Sequence, residues 1–305
     1  MAPGVGAAGG ADARTAPGTG DDGAVIDPGT APAPARRIAY QGEPGAYSEE
    51  MVIRVDPTAV AQPEATFAQV VAALVAGQVD RAVLPIENSL AGVVQEVSDQ
   101  LSEHPVHIVA EHLLPVRHCL LGFPGPPVVR VRSHPQALGQ CRHYLTRLGA
   151  VPVPAPDTAG AARQLAEDRE PGTAVIASAA AAGRYGLTVL AEGIQDRDDN
   201  TTRFVSVERG PAARPGDAGI HRGKVSITLE TAHQPGGLYT ALGAFARRDL
   251  NLTRLDARPV PDRPWEYRFY LDFEYEDPQT ATGALAELEE SAHTVRILGT
   301  YPTAS

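Results

Sequence analysis

Cysteine is almost missing. The chain carries two, Cys119 and Cys141, with neither a CxxC pair nor a zinc-type spacing around them, so a reducing compartment is the simplest setting and no metal is expected. Positive charge is also scarce: 26 lysines and arginines against 37 acidic residues give a net charge of −11 and a pI near 5.3. That balance excludes sequence-blind binding to nucleic acid or to an anionic membrane. Any anionic ligand must then be held by a local concentration of cations and backbone N–H groups. No stretch approaches the roughly 20 apolar residues that span a bilayer. The opening residues, MAPGVGAAGG, lack the early positive charge and the apolar run of a signal peptide, and a cytoplasmic location is expected.

What is present is enough for two domains in 305 residues. Residues 1–35 are rich in Ala, Gly and Pro with almost nothing to bury, so they cannot offset the entropy of ordering and are expected to form a disordered tail. From RIAY, Arg37 to Tyr40, strand-like and helix-like pieces alternate as far as residue 209. Strand-like runs fall at 82–84, 106–110, 128–131, 151–153 and 174–177; helical spacing falls at 66–75, 92–101, 136–149 and 158–167. This alternation predicts α/β layers around a largely parallel sheet. The Pro/Gly/polar stretch at 210–222 reads as a linker. Residues 223–302 then give strand, helix, strand, strand, helix, strand, a ferredoxin-like βαββαβ order.

Four short stretches carry polar chemistry. In GEPGAYS, Gly42 to Ser48, a strand ends in glycines that let backbone N–H groups approach a ligand, and the helix start that follows favours an anion; a plain strand-to-helix turn reads the same way. In PIENSLAG, Glu87, Asn88 and Ser89 stand beyond a strand's carboxyl end, where open α/β sheets bind ligands; Asn88 or Ser89 can equally be an N-cap. In SHPQALGQC, Gln136 and Gln140 share a helix face. His134 and Cys141 share one too, but two soft ligands without a third make no metal site. His104, His107, His112 and His118 read as structural or surface residues. In DRDDNTTRFVSV, Arg203 can grip a carboxylate with two parallel hydrogen bonds and Thr202 can donate or accept. The plain alternative pairs Arg203 with Asp196, Asp198 or Asp199.

In this order, and followed by PGGLYTAL and NLTRLDARP, these motifs cover most of residues 37–300 and resemble the prephenate dehydratase family. The resemblance implies a catalytic region, 36–209, of two α/β lobes arranged like a type II periplasmic binding protein with the active site in the cleft. A C-terminal ACT regulatory domain, 223–302, is implied to follow. The implied reaction turns prephenate into phenylpyruvate, CO2 and water on the way to phenylalanine, with no cofactor. Thr202 is then the residue most tied to catalysis, beside Arg203 and Glu87, and the cleft walls come from Ala46, Asn88, Ser89, Gln136, Gln140, Thr201 and Phe204. In the C-terminal module the resemblance implies an L-phenylalanine site from Gly236, Gly237, Leu238, Asn251, Leu252, Asp256, Ala257, Arg258 and Pro259. It also implies self-association through ACT domains as a dimer or tetramer. The family's usual Gly-Ala-Leu-Tyr and Glu-Ser-Arg-Pro here read Gly236-Gly237-Leu238-Tyr239 and Asp256-Ala257-Arg258-Pro259. Asp256 shortens the acid, and Ala257 removes a hydroxyl worth about 0.5–1.5 kcal/mol where it is hydrogen-bonded.

The residue types suit that chemistry. Prephenate carries two carboxylates and a ring hydroxyl, and loss of CO2 with that hydroxyl makes an aromatic ring. Fixing the carboxylates falls to Arg203, helix N-termini and Ser89; assisting the departing hydroxide falls to a hydrogen-bond or proton donor. Thr202, a poor acid, reads as the donor to the leaving oxygen, and Glu87 as the better acid if burial raises its pKa; the sequence leaves both standing. Arogenate, the aminated substrate, is the alternative. A decarboxylase that does not aromatise is disfavoured because the Thr-Arg-Phe motif is kept. A non-catalytic solute-binding or amino-acid-sensing protein shares the two-lobed scaffold, but it calls for an export signal or a DNA-binding element, and neither is in view.

Overall fold

The computed structural model describes residue 1 and residues 35–304, apart from 218, 232–233 and 261–262; the expected tail lies almost wholly outside these. The first lobe is built from β1 (Arg37–Gln41), α1 (Tyr47–Val55), β2 (Val60–Glu64), α2 (Phe67–Val75), β3 (Arg81–Asn88), the short β4 (Gly92–Val93), α3 (Gln95–Glu103) and β5 (Val106–Pro115). β1 pairs in parallel with β2 and β3. Thr66 opens α2 with a reciprocal capping box to Gln69, a cap worth about 1 kcal/mol. Val70, Val71 and Leu74 of α2 then bury against Ala82, Leu84 and Ile86 of β3. The helical spacing read from residue 92 begins later than expected, because Gly92 and Val93 pair with β3 as β4.

The second lobe follows with β6 (Cys119–Gly122), β7 (Arg130–Ser133), α4 (Pro135–Gln140), α5 (Arg142–Leu148), β8 (Val151–Pro154), α6 (Thr158–Asp168), β9 (Thr173–Ala177), α7 (Ala179–Tyr185) and β10 (Thr188–Glu192). Its strands lie in the order β10-β6-β9-β7-β8. The single helix expected at 136–149 is broken at Cys141, whose φ of −118° and ψ of 24° leave the helical region. The chain returns along β11 (Thr201–Arg209), which inserts antiparallel between β3 and β5. The sheets are therefore less parallel than the alternation suggested. Parallel pairs occur where helical crossovers join strands, as at β7 with β8 and β9. The strands that carry the chain into and out of the second lobe run against their neighbours.

Residues 210–222 contain no helix or strand among the described residues. They are nonetheless docked: the carbonyls of Ala213 and Pro215 accept bonds from Thr300 Oγ1 (2.8 Å) and Thr282 Oγ1 (3.2 Å). Then come β12 (Gly223–Glu230), α8 (Gly237–Ala246), β13 (Leu252–Pro259), β14 (Tyr267–Tyr275), α9 (Pro278–Ser291) and β15 (Thr294–Tyr301). The strands pair antiparallel in the order β13-β14-β12-β15, as the βαββαβ reading requires. Ala244 and Phe245 of α8 and Ala284, Leu285 and Leu288 of α9 pack on one face of this sheet.

β15 also pairs with β5 through Gly299 and Ile108, so ten strands from both parts of the chain form one sheet. A Cβ at Gly299 would stand 2.5 Å from the Ile108 carbonyl oxygen and 2.6 Å from its Cβ. Gly299→Ala is expected to push β15 off β5 and to cost about 1–3 kcal/mol, read as a lowered denaturant midpoint. Gly125→Ala, where a Cβ meets nothing within 4 Å, is the control without that loss.

Candidate active site

The chain passes between the lobes twice, once after β5 and once before β11, and the two passages are hydrogen-bonded side by side. Val116 N donates to the Asn200 carbonyl (2.8 Å) and Ile194 N to that of His118 (3.1 Å). Against them, between the lobes, lies a cavity of about 540 Å³. Ala46, Asn88, Gln136, Gln140 and Thr202 all line it: five of the expected site residues, brought from α1, β3, α4 and β11. The glycine loop before α1 can lie there because Gly45 has a φ of +89°, and a Cβ would sit 3.0 Å from the Ala181 backbone. Ser178 and Tyr185, at either end of α7, donate to the Gly45 and Pro44 carbonyls at 2.7 and 2.5 Å, tying the loop to the second lobe.

The polar atoms of the cavity form one chain, and its directions can be assigned link by link. Asn88 Oδ1 accepts the backbone N–H groups of Leu90 (3.1 Å) and Ala91 (2.9 Å). Its Nδ2 therefore faces the other way and donates to Thr202 Oγ1 (3.0 Å) and to Asn200 Oδ1 (2.8 Å). Asn200 Nδ2 in turn donates to Gln140 Oε1 (3.1 Å). That oxygen, 2.8 Å from His118 Nε2, requires the proton on Nε2, so Nδ1 is an acceptor facing the Tyr47 hydroxyl at 2.8 Å, whose proton is shared with the Arg117 carbonyl at 3.0 Å. The Thr202 oxygen is thus an acceptor from Asn88. Among the described residues no protein group takes its own proton.

Three members of this chain, Tyr47, His118 and Asn200, were not among the expected site residues. His118 is no surface residue: it is 2% exposed and lines the cavity. Burial pushes its pKa below the ordinary 6.5, with the bond to Gln140 opposing, so it is neutral at physiological pH. Burial also raises the Tyr47 hydroxyl well above its usual value, which keeps its proton in place. No Arg or Lys lines the cavity among the described residues, and the one carboxylate there belongs to Asp157. The cations expected to hold an anion are replaced by neutral donors, among them Ser48, Gln136 and the orphan amides opening α1.

The remaining expected residues lie elsewhere. Ser89 is structural, its Oγ donating to the Asp199 carbonyl and accepting the Thr201 N–H, both at 2.9 Å. Phe204, 2% exposed, is core among Ile38, Tyr40 and Val83. Thr201 and Glu87 are also absent from the cavity wall. Arg203 does not point into the cleft to clamp a carboxylate, nor does it pair with Asp196, Asp198 or Asp199. Its guanidinium is buried between Glu111 (2.8 Å), Asp272 (2.7 Å) and, farther off, Glu87 (3.6 Å). Burial disfavours its charge, but Asp272, Tyr301 and Glu111 outweigh that and raise its pKa. The reason is the period of a strand: neighbours on β11 and β3 face opposite ways, so Thr202 and Asn88 reach the cleft while Arg203 and Glu87 cannot.

The prephenate dehydratase family model matches residues 38–212, the span that contains both lobes and every residue of this hydrogen-bonded chain. The chain belongs to the prephenate dehydratase family. It is a dehydratase, a carbon–oxygen lyase. Among its relatives, arogenate dehydratase/prephenate dehydratase 2 of Arabidopsis thaliana is 43% identical over 87% of this chain and 72% of its own length. A solved prephenate dehydratase from Arthrobacter aurescens, in complex with L-Phe, superposes with a TM-score of 0.78 at 31% identity, over 87% of this chain and 90% of that one. A structure described as GqqA, a quorum quenching acylase, superposes with a TM-score of 0.81 at 39% identity, over 88% and 98%. Among the described residues no helix is long and apolar enough to cross a membrane, and no group of His, Cys, Asp and Glu is placed to hold a metal ion.

In the C-terminal module a second cavity, about 250 Å³, is lined by Gly236, Gly237 and Leu238 together with Tyr239, Trp265 and Phe269. Asn251, Leu252, Asp256, Ala257, Arg258 and Pro259 do not line it. Arg258 instead donates to Gln95 and Asp99 of α3, both at 2.7 Å.

The buried neutral His118 makes a pH prediction. Its folded pKa lies below the unfolded value of about 6.5, so the unfolded chain takes up a proton that the fold resists. The stability this contributes is complete above that value and is lost as pH falls below it toward the folded pKa. The melting temperature is expected to drop on acidification below about 6.5, and His118→Gln to flatten that drop. His112, also held down by burial, and carboxylates held low by hydrogen bonds, Asp277 among them, supply what slope remains. An unchanged slope in the variant would show that His118 does not titrate in this way.

Proposed function

We propose that the cleft converts prephenate into phenylpyruvate, CO2 and water. One observation carries this reading: Asn88 orients the Thr202 hydroxyl as an acceptor and leaves its proton unclaimed, facing a cavity of ligand size. A cyclohexadienol bound there loses the ring carboxylate as CO2. The freed electron pair completes the aromatic ring, and the C–O bond opposite breaks with its electrons going to oxygen. The hydrogen bond from Thr202 strengthens as charge builds on the departing oxygen, which makes the interaction selective for the transition state, and the hydroxide takes up a proton from solvent to leave as water. The reaction itself is neither a hydride transfer nor a hydrolysis, so no nucleophile is needed. The substrate's carboxylates find neutral N–H and O–H donors, which hold anions without a formal counter-charge.

Thr202→Val removes the donor at constant shape and is expected to lower kcat by about 10²- to 10³-fold, while Thr202→Ser keeps most activity. Both are read as phenylpyruvate formation by protein with unchanged melting temperature. Near-wild-type turnover by the valine variant would sink the threonine assignment. The acylase activity in GqqA's description is not favoured here: Thr202 Oγ1 is bonded to an amide donor, not to a base that could activate it.

A second reading, arogenate as substrate, is favoured by the charge of the cavity and by the names of the plant relatives. Prephenate brings two negative charges to a wall with one carboxylate and no lysine or arginine; arogenate also brings an ammonium that Asp157 can pair. Asp157 caps α6 through Gly160 N at 2.5 Å, and asparagine preserves that cap. Under this reading Asp157→Asn lowers kcat/KM for arogenate by roughly tenfold, about 1.4 kcal/mol, and leaves that for prephenate equal or higher. Equal losses on both substrates would dismiss it.

Feedback by L-phenylalanine belongs to the proposal. The complex of the Arthrobacter protein and the cavity at Gly236 to Leu238 support it, with the C-terminal module acting as an ACT domain. Self-association is supported by β13, a sheet edge that exposes Leu255. Two free, buried cysteines suit a reducing compartment such as the cytoplasm.

A further inference from the structure

Arg203 is buried in a cluster to which both parts of the chain contribute. From the catalytic sheet come Glu111 on β5, 2.8 Å from Arg203 Nε, and Glu87 on β3, 3.6 Å from Nη1. From the C-terminal module come Asp272 on β14, 2.7 Å from Nη2, and the Tyr301 hydroxyl on β15, 3.1 Å away. Lys224 on β12 holds both Glu111 oxygens at 3.0 Å, and Ser226 on the same strand donates to Asp272 Oδ1 at 2.6 Å. All of these except Glu87 are buried. Two cations therefore face two buried carboxylates, and removing any one leaves an unpaired charge out of reach of water.

The backbone link between the module and the catalytic sheet is, by contrast, a single residue pair among the described residues, Gly299 with Ile108. At β11 the fastening is made by side chains. It also falls at a soft point of the ladder: the register of β11 against β3 shifts between Arg203 and Phe204, the kind of irregularity that re-aims side chains. Thr202 stands one residue away on the cavity wall, and an error of about 1 Å in placing a reacting group can cost on the order of a hundredfold.

We infer that Arg203 is a positioning residue: Asp272 and Tyr301 of the C-terminal module hold its guanidinium, and through it they set the aim of the Thr202 hydroxyl. This rests on the dehydratase reading of the cleft. The test uses the full chain with Asp272→Asn and the milder Tyr301→Phe, assayed on prephenate and arogenate. For Asp272→Asn, kcat is expected to fall on the order of ten- to a hundredfold, and for Tyr301→Phe by less, while KM stays within about twofold. Adding either change to Thr202→Val is expected to cost nothing further, because no hydroxyl remains to be aimed. Arg296→Ala loses bonds to the Ser102 and His104 carbonyls at the same junction, away from β11, and is expected to leave kcat unchanged.

The inference is overturned if both variants keep wild-type kcat, if their costs add to that of Thr202→Val, or if Arg296→Ala loses as much as Asp272→Asn. Should Asp272→Asn fail to fold, Tyr301→Phe carries the same comparison. A wild-type chain inert toward both substrates would remove the dehydratase reading itself, a different result from any of these.

Discussion

Two backbone N–H groups, those of Leu90 and Ala91, hold the oxygen of Asn88 and thereby decide the sense of the hydrogen bonds that run from it through the cleft. Once that amide cannot turn over, Asn200, Gln140, His118 and Tyr47 follow in fixed orientations, and the Thr202 oxygen can only accept from it. An amide donor does not make a hydroxyl basic, as an imidazole would; it leaves the threonine proton free and pointed. The arrangement suits a reaction whose difficulty is a departing oxygen rather than an attacking one. It also accounts for a cavity without a lysine or arginine on its wall among the described residues, in a family named for a dicarboxylate. Orientation is supplied by dipoles, which cost no reorganisation as charge moves from carboxylate to leaving group.

The alternation of elements was legible from hydrophobic period, most clearly in the βαββαβ module, where apolar Val225, Ile227 and Leu229 alternate on one strand and Ala281, Ala284, Leu285 and Leu288 repeat on one helix, whereas β2, β6, α7 and β10 were not among the runs read. The parallel character of the sheets was overestimated, because a period reveals strands and not their directions. At the cleft, the places of Asn88, Gln140 and Thr202 in their motifs mark them. Glu87 and Arg203 were drawn in with them as neighbours, although the two-residue alternation of a strand turns adjacent side chains apart; Ser89 and Phe204 were drawn in too, one bonded to the Asp199 carbonyl and the other packed in the core. That alternation, applied to the run Thr202–Arg203–Phe204, puts Arg203 on the face opposite Thr202 from the order of residues alone.

His118 and Tyr47 escaped for a different reason. They lie 71 residues apart and meet only because β6 begins where the GEPG loop ends in space; no local pattern records that. The available signal for His118 was modest: a histidine within RHC between two apolar strands, hence at a passage rather than on a face. The destination of Arg203 was equally hidden, since Asp272 and Tyr301 belong to a module that the motif reading treated as separate.

The two strands of chain that join the lobes carry His118 on one and Asn200 on the other, and both reach Gln140, which belongs to the far lobe. Any swing of one lobe away from the other must therefore pull this glutamine off its two partners at once. The donor itself would stay set, because Asn88 and Thr202 stand on neighbouring strands of one sheet; the circuit crosses to the far lobe through its glutamine.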